Sequence, residues 1–181
     1  MPEEINRIVT DSIADYFFTT SEFANSNLKK FGINPNNIFF VGNTMIDTLL
    51  SNYNKFTKPK LWELNSLQKG NYIVLTLHRP NIVDHKNSLE RNIKIIINAV
   101  NDLKVVFPVH PRTKLTINKI SDLPKNLICV DPQPYLEFNY LVKNAKAVIT
   151  DSGGITEEST LLKIPCLTMR DSTERPETIK V

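Results

Sequence analysis

The sequence predicts an α/β fold in which a parallel β-sheet carries helices on both faces. From Asn71 onward, short runs of β-branched and apolar residues alternate with segments of helical periodicity. The clearest unit is 147–162, where a buried strand is followed by the turn Asp151-Ser152-Gly153-Gly154 and by a helix that opens at Ile155. Because strands joined by helical crossovers run in one direction, this alternation predicts a parallel sheet.

The first part of the chain predicts helices separated by two short strands. Pro2 suits the first turn of a helix, and the apolar residues that follow it have amphipathic spacing. Strands are predicted at 16–19 and 38–41, with a helix at 21–32 between them and another at 45–53. These segments therefore predict strand-turn-helix units before the regular alternation begins.

The later strands follow a polar stretch, 54–70, which Pro59 interrupts and which we interpret as a loop or linker. Each later strand is predicted from a short apolar run that ends in polar residues or proline. These strands are 72–77, 105–109, 127–130, 147–150 and 166–169. Helical spacing at 86–100 predicts the longest of the intervening helices.

Composition and charge exclude several classes of function. The chain has 181 residues, 41% of them hydrophobic, which is enough for one domain with a substantial core or one domain plus an appendage. A net charge of +3 without a cluster of like charges argues against nucleic acid as the partner. No apolar run approaches a membrane span, and the first residues do not form a signal peptide, so we expect a cytoplasmic protein with no membrane partner.

The cysteines and histidines predict neither a disulfide nor a metal site. Cys129 and Cys166 lie in apolar, strand-like runs, so we expect both to be buried, reduced thiols. Three histidines without a Cys/His cluster do not have the spacing of metal ligands. We therefore expect no metal site.

The turn after the strand 147–150 has the features of a phosphate-binding site. The start of a helix leaves backbone N–H groups unpaired and carries the positive end of the helix dipole. Gly153 and Gly154 would let an anion approach those groups, and Glu158, further along the helix, could accept hydrogen bonds from vicinal hydroxyls. An ordinary strand-to-helix turn with an Asp or Ser N-cap is the alternative, and the motif alone leaves both open.

Ligands bind open parallel sheets at the edge where the strands end. Each polar turn there is a weak signal alone, because His78 also suits a turn or cap, and Arg175 could be a solvated surface charge. Together they suit a phosphorylated ligand held by backbone amides and arginine. The residues expected at this edge are Gly42-Asn43-Thr44, His78-Arg79, His110, Gln133, Ser152-Gly153-Gly154, and Arg170 with Arg175.

Five segments resemble, in order, motifs of the non-hydrolysing UDP-N-acetylglucosamine 2-epimerases. They are MPEEINR at 1–7, VGNTMID at 41–47, DPQPYLEF at 131–138, TDSGGITEE at 150–158 and MRDSTERPE at 169–177. The resemblance covers nearly the whole chain. It implies a Rossmann-like domain that is one half of a two-domain, GT-B-type architecture, an architecture also found in a large class of glycosyltransferases. Residues 38–181 would be the UDP-binding domain without its C-terminal end, and residues 1–37 a crossing segment from an absent N-terminal domain.

The resemblance also implies roles for individual residues. Ser152, Gly153 and Gly154 would bind the diphosphate, and Glu158 the ribose. Gln133 and Phe138 would hold the uracil, while His78 and Arg175 would contact the phosphates. Glu3, in the PEE motif, and His78 would take part in catalysis, although an acid in the first turn of a helix is the alternative for Glu3. His110 is expected near the cleft without an assigned contact.

Relatives of this kind interconvert UDP-N-acetylglucosamine and its manno epimer by eliminating UDP across C1 and C2 and adding it back. The resemblance implies UDP or UDP-N-acetylglucosamine as the partner, no cofactor, and a homodimer at full length. Because other essential carboxylates would lie in the absent domain, we expect the isolated chain to bind UDP without turnover. The segment 78–82 reads HRPNI where relatives commonly read HRxEN, which puts allosteric activation by substrate in doubt.

Three other functions stay open. A glycosyltransferase of the same architecture would use the same diphosphate site, and a non-catalytic UDP-sugar-binding domain would bind UDP without any chemistry at C2. A hydrolysing relative would release free N-acetylmannosamine together with UDP.

Overall fold

The structure is a computed structural model that describes residues 2–170, with side chains from Glu4 onward. The chain divides into two compact units, Met1–Leu50 and Ser51–Val181. This division lies later than the domain boundary predicted at 37/38. The reason is that the second strand pairs with the first strand and not with the large sheet.

The first unit contains a two-stranded parallel sheet. The strands are β1 (Phe17–Thr19) and β2 (Ile38–Phe40), paired in register from Phe17 with Ile38 to Thr19 with Phe40. The helices are α1 (Pro2–Ile13), α2 (Glu22–Lys30) and α3 (Thr44–Asn52), which ends just beyond the unit. Because β2 belongs to this separate sheet, the prediction that 42–44 joins the other polar turns on one sheet edge was wrong.

The second unit is a five-stranded, fully parallel sheet with the strand order β5-β4-β3-β6-β7. Its strands are β3 (Tyr72–Thr76), β4 (Lys104–Pro108), β5 (Leu127–Val130), β6 (Ala147–Thr150) and β7 (Cys166–Thr168). Its helices are α4 (Lys60–Leu64), α5 (Pro80–Val83), α6 (Lys86–Ala99), α7 (Pro111–Ile117), α8 (Tyr135–Asn144) and α9 (Gly153–Leu161). The predicted parallel α/β fold is confirmed.

Two apolar cores cover the two faces of this sheet, because neighbouring residues of a strand point to opposite faces. On one face, Leu75 and Phe107 pack with residues of α6 such as Leu89. On the other face, Tyr72 and Val106 pack with residues of α4 and α8. The sheet is therefore covered by helices on both faces, as the sequence predicted.

The short helix α4 lies inside the stretch predicted to be a loop. Pro59 is its N-cap residue, so this proline precedes the helix and does not interrupt it. Trp62 of α4 packs edge-on against Tyr72 and Tyr140, with ring centroids 5.5 Å and 5.4 Å apart. The segment is therefore part of the core.

Cys129 is exposed and Cys166 is half-buried, so the prediction that both thiols are buried was wrong. Cys129 lies on β5, which is an outer strand of the sheet. Helices do not cover an outer strand as completely as a central one, and within β5 only Leu127 is buried. Within residues 2–170, no helix has the length and apolar character needed to cross a bilayer.

Candidate functional site

A cavity of about 430 Å³ opens where β3, β4, β5 and β6 end. The strand order reverses between β3 and β6, since the chain passes from β3 outward to β5 and then returns to the other side of β3. Such switch points are where open α/β sheets bind ligands. Four residues predicted for the site line this cavity together: His78, Gln133, Phe138 and Ser152. His110, expected near the cleft, lines it as well.

Asp151 joins the ends of β3 and β6 at this switch point. It is fully buried, and its Oδ2 accepts the backbone N–H groups of His78 and Arg79, both at 2.8 Å. Its backbone carbonyl accepts the Arg79 Nε–H at 2.9 Å. Burial raises the pKa of the Asp151 carboxyl, but the interactions with the His78 side chain and the two amides outweigh it, so the pKa lies below the usual value.

The other oxygen of Asp151 faces the imidazole of His78. Asp151 Oδ1 lies 2.7 Å from His78 Nδ1, a contact that is an ion pair when the imidazole is protonated. The His78 side chain is 43% exposed, which leaves the rest of the ring open towards the cavity. Asp151 thus accepts hydrogen bonds from the backbone that follows β3 and also contacts a histidine side chain.

His110 lies across the cavity, with its ring centroid 6.1 Å from that of His78. Its Nδ1 accepts the backbone N–H of Arg112 at 3.2 Å, at the start of α7. Because Nδ1 is an acceptor, the neutral ring carries its proton on Nε2.

The predicted phosphate-binding turn is the first turn of α9. Gly153 and Gly154 are already helical, so the helix begins earlier than predicted and Ser152 is its N-cap residue. The Ser152 N–H donates to Thr150 Oγ1 at 3.0 Å, which fixes the backbone just before the helix. The backbone N–H groups of the first helical residues have no acceptor within the helix and can bind an anion.

Glu158 lies on α9 and is only 7% exposed. Burial raises the pKa of this carboxyl, opposed by a hydrogen bond from Tyr135 and reinforced by the charge of Glu157. It lies five residues beyond Gly153, about 7.5 Å along the helix axis. The helix therefore presents backbone N–H groups at its start and a carboxylate more than one turn later.

Gln133 and Phe138 lie on the β5 side of the cavity. The Gln133 side-chain amide donates to the Asp131 carbonyl at 2.7 Å, which leaves its carbonyl oxygen available to a ligand. Phe138 packs partly against the core formed with α8 and presents an aromatic surface to the cavity.

Among the described residues predicted for the site, Gly153, Gly154 and Glu158 lie on α9 and do not line the cavity. The side chain of Glu3 and all of Arg175 lie outside the described residues. Arg170 follows β7, is half-buried, and does not line the cavity.

Sequence reasoning did not assign Asp151 to the site. The residue was placed in the turn, but its partners His78 and Arg79 lie more than 70 positions earlier in the chain. The signal that could have found it is an acidic residue directly after a buried strand at the switch point, next to a strand that ends in histidine.

Comparison with known proteins places this arrangement in a family. A sequence profile described as UDP-N-acetylglucosamine 2-epimerase matches residues 1–181. The chain belongs to the UDP-N-acetylglucosamine 2-epimerase family. It is 41% identical to a UDP-N-acetylglucosamine 2-epimerase of Methanocaldococcus jannaschii, an alignment that covers 100% of the chain and 52% of that relative.

A solved structure and a second relative extend this comparison. A crystal structure of the Methanocaldococcus jannaschii epimerase in complex with UDP-GlcNAc and UDP superposes with a TM-score of 0.85 and 42% identity, over 100% of the chain and 52% of that structure. A UDP-2,3-diacetamido-2,3-dideoxy-D-glucuronate 2-epimerase of Pseudomonas aeruginosa is 36% identical over 99% of the chain and 50% of its own length. The chain thus spans about half the length of the curated relatives it matches.

Proposed function

We propose that this chain is the UDP-binding half of a UDP-N-acetylglucosamine 2-epimerase. The observation that carries the proposal is the cavity at the β3/β6 switch point, where His78, Ser152 and the start of α9 meet. Membership of the family and the ligands named for its relative from Methanocaldococcus jannaschii support UDP as the ligand.

The diphosphate of UDP would bind at the start of α9. The N–H groups of Gly153 and Gly154 would donate to its oxygens, and the helix dipole favours its negative charge. Glu158 would accept hydrogen bonds from the ribose hydroxyls, at a carboxylate that Tyr135 already orients. The uracil would stack on Phe138 and bond to Gln133, both of which line the cavity.

In the proposed reaction a base removes the proton on C2 while the C1–O bond breaks and UDP leaves. UDP then returns to C1, and a proton is added to the opposite face of C2, which inverts that carbon. The negative charge that develops on the leaving diphosphate would be stabilised by His78 and the start of α9. Glu3 would take part in the proton transfers, and Arg175 would bind the phosphates, on the strength of the sequence motifs.

A second polypeptide segment would be needed for turnover. The first unit exposes large apolar side chains on its two-stranded sheet, including Phe18, Phe39 and Phe40. A sheet of two strands is marginal by itself and is normally stabilised by further strands or helices. We propose that the half of the relatives beyond this match covers this surface and supplies the remaining catalytic groups, and that the complete enzyme is a homodimer in the cytoplasm.

The test is proton NMR of UDP-N-acetylglucosamine with the chain in D₂O, followed at the C2 proton and the uracil lines together. We expect the uracil lines to broaden while the C2 signal persists. Adding the N-terminal half of the Methanocaldococcus jannaschii relative should then cause exchange of the C2 proton and formation of the manno epimer. The absence of uracil broadening at millimolar chain would contradict the proposal.

A different 2-acetamido sugar is a second candidate substrate. The Pseudomonas relative is named for a diacetamido uronate, and it matches this chain over nearly all its length. The complemented enzyme, assayed with both UDP-sugars, would distinguish the two, because only the true substrate should lose its C2 proton at a high rate.

A further inference from the structure

Asp151 occupies an unusual position for a carboxylate: fully buried, at the point where the strand order of the sheet reverses. Burying a charge is costly unless hydrogen bonds and opposite charge compensate for it. Two backbone N–H groups and one imidazole surround Asp151, and two of these three groups belong to His78. The carboxylate therefore constrains both the backbone and the side chain of one residue that lines the cavity.

The two oxygens of Asp151 have separate partners. Oδ2 accepts the His78 and Arg79 amides, whereas Oδ1 faces the His78 ring at 2.7 Å. At this separation a lone pair on Nδ1 would repel the carboxylate, so Nδ1 must carry a proton. A neutral ring then leaves Nε2 unprotonated, and a second proton makes Nε2 a charged donor.

We propose that Asp151 is a positioning residue that holds His78 with a proton on Nδ1, so that Nε2 faces the diphosphate of the bound nucleotide and donates to it from the doubly protonated ring. The proposal rests on the proposed function for the nature of the ligand. The geometry of the pair does not depend on that function. His78 makes the contact with the ligand, and Asp151 acts through it.

His110 provides a reference within the same cavity. Its Nδ1 accepts the Arg112 amide, so its proton is on Nε2, the opposite arrangement from that of His78. The two histidines thus differ in the nitrogen that the protein fixes, because Nδ1 carries a proton in His78 and accepts a hydrogen bond in His110. A purely structural role for Asp151 would predict no fixed tautomer at His78.

Asp151→Asn separates the structural role from the positioning role. An asparagine oxygen can still accept both backbone amides and so keep β3 and β6 joined. Its NH₂ group would face Nδ1 and donate to it, which forces the proton of His78 onto Nε2. Asp131→Asn is the matched control, because Asp131 also follows a strand but is exposed and pairs with Lys114.

The experiment is long-range ¹H–¹⁵N NMR of the histidine rings, combined with calorimetric titration of UDP, on the 181-residue chain. We expect His78 in the wild type to show a protonated Nδ1 and His110 a protonated Nε2. In Asp151→Asn only His78 should invert, and UDP affinity should fall about tenfold, because the donor to the anionic diphosphate becomes an uncharged ring. The Asp131→Asn control should keep both tautomers and the affinity.

A double-mutant cycle shows whether Asp151 acts through His78. In a His78→Ala background, Asp151→Asn should have no further effect on UDP affinity. An equal tenfold loss in both backgrounds, or a wild-type His78 whose Nδ1 carries no proton, would overturn the proposal. The second measurement needs no variant and applies even if Asp151→Asn does not fold. If the histidines show the expected tautomers but the chain does not bind UDP, the proposed function is contradicted. The pairing of Asp151 with His78 would still be established.

Discussion

Glu158→Gln is expected to weaken UDP binding and to stabilise the fold, and both effects come from the same buried carboxylate. Glu158 is only 7% exposed, and its pKa is raised by burial. In the proposed complex it accepts two hydrogen bonds from the ribose diol. Replacing a charged acceptor by a neutral one costs about 1 kcal/mol for each bond, so the affinity should fall roughly 30-fold.

The gain in stability should depend on pH. A carboxyl whose pKa is raised on folding gives stability below its unfolded pKa, and this stability is lost as the pH rises through the folded pKa. Wild-type Glu158 therefore lowers the free energy of unfolding increasingly as the pH rises above about 4.5, the pKa of the unfolded carboxyl. The glutamine variant has no charge to bury, so its free energy of unfolding should exceed that of the wild type by about 1 kcal/mol at pH 8. This difference should vanish at pH 4.

Calorimetric titration of UDP and urea denaturation at several pH values measure the two effects. Glu90→Gln is the matched control, a helical glutamate whose pKa is lowered by hydrogen bonding to Lys94 and which lies away from the cavity. It should leave UDP affinity unchanged and should not stabilise the protein. Unchanged UDP binding by Glu158→Gln, or a stability difference that does not grow with pH, would refute the reasoning.

Three further predictions concern other parts of the site and its support. Phe138→Ala should weaken UDP about tenfold through lost stacking but leave pyrophosphate affinity unchanged, as calorimetry can show; an equal loss for both ligands would contradict a uracil contact. Asp151→Ala leaves two partly buried amides of His78 and Arg79 without acceptors and should cost about 2–4 kcal/mol at pH 7. The pKa of Asp151 is lowered on folding, so its contribution to the free energy of unfolding is present above the unfolded pKa of 3.8 and is lost as the pH falls below that value. Urea denaturation should therefore show the stability difference between wild type and variant shrinking in acid. A difference that stays constant with pH would be inconsistent with an ionised Asp151. Leu141→Ala, at a fully buried position of α8, should cost about 2–5 kcal/mol in urea without changing the tautomers of the cavity histidines; altered tautomers would mean that α8 supports the site directly.

The strands were predictable because they are short and strongly apolar. Leu127–Val130 and Ala147–Thr150 have the predicted bounds, and the other described strands differ by only one or two residues. A parallel sheet covered on both faces needs continuous apolar runs, and such runs stand out against polar turns. His78, Gln133 and Ser152 line one cavity because parallel strands end on one edge, and their roles in binding stay predictions.

The sequence did not predict which strands, distant in the chain, lie next to each other in a sheet. Ile38–Phe40 has the same apolar character as the other strands, and nothing in it indicates a separate sheet with β1. Cys129 was expected to be buried, although its strand lies at the outside of the sheet, since strand order is not encoded in a local run. The role of Asp151 depends on a strand end more than 70 residues away, and for that reason only the structure reveals it.

The most direct test of this account is a crystal structure of the chain with UDP. We expect the diphosphate at the N–H groups of Gly153 and Gly154, the ribose hydroxyls on Glu158, and the uracil against Phe138. His78 Nε2 should lie within hydrogen-bond distance of a phosphate oxygen, with Nδ1 still facing Asp151. UDP bound away from the β3/β6 switch point, or with its diphosphate turned away from the start of α9, would contradict the account.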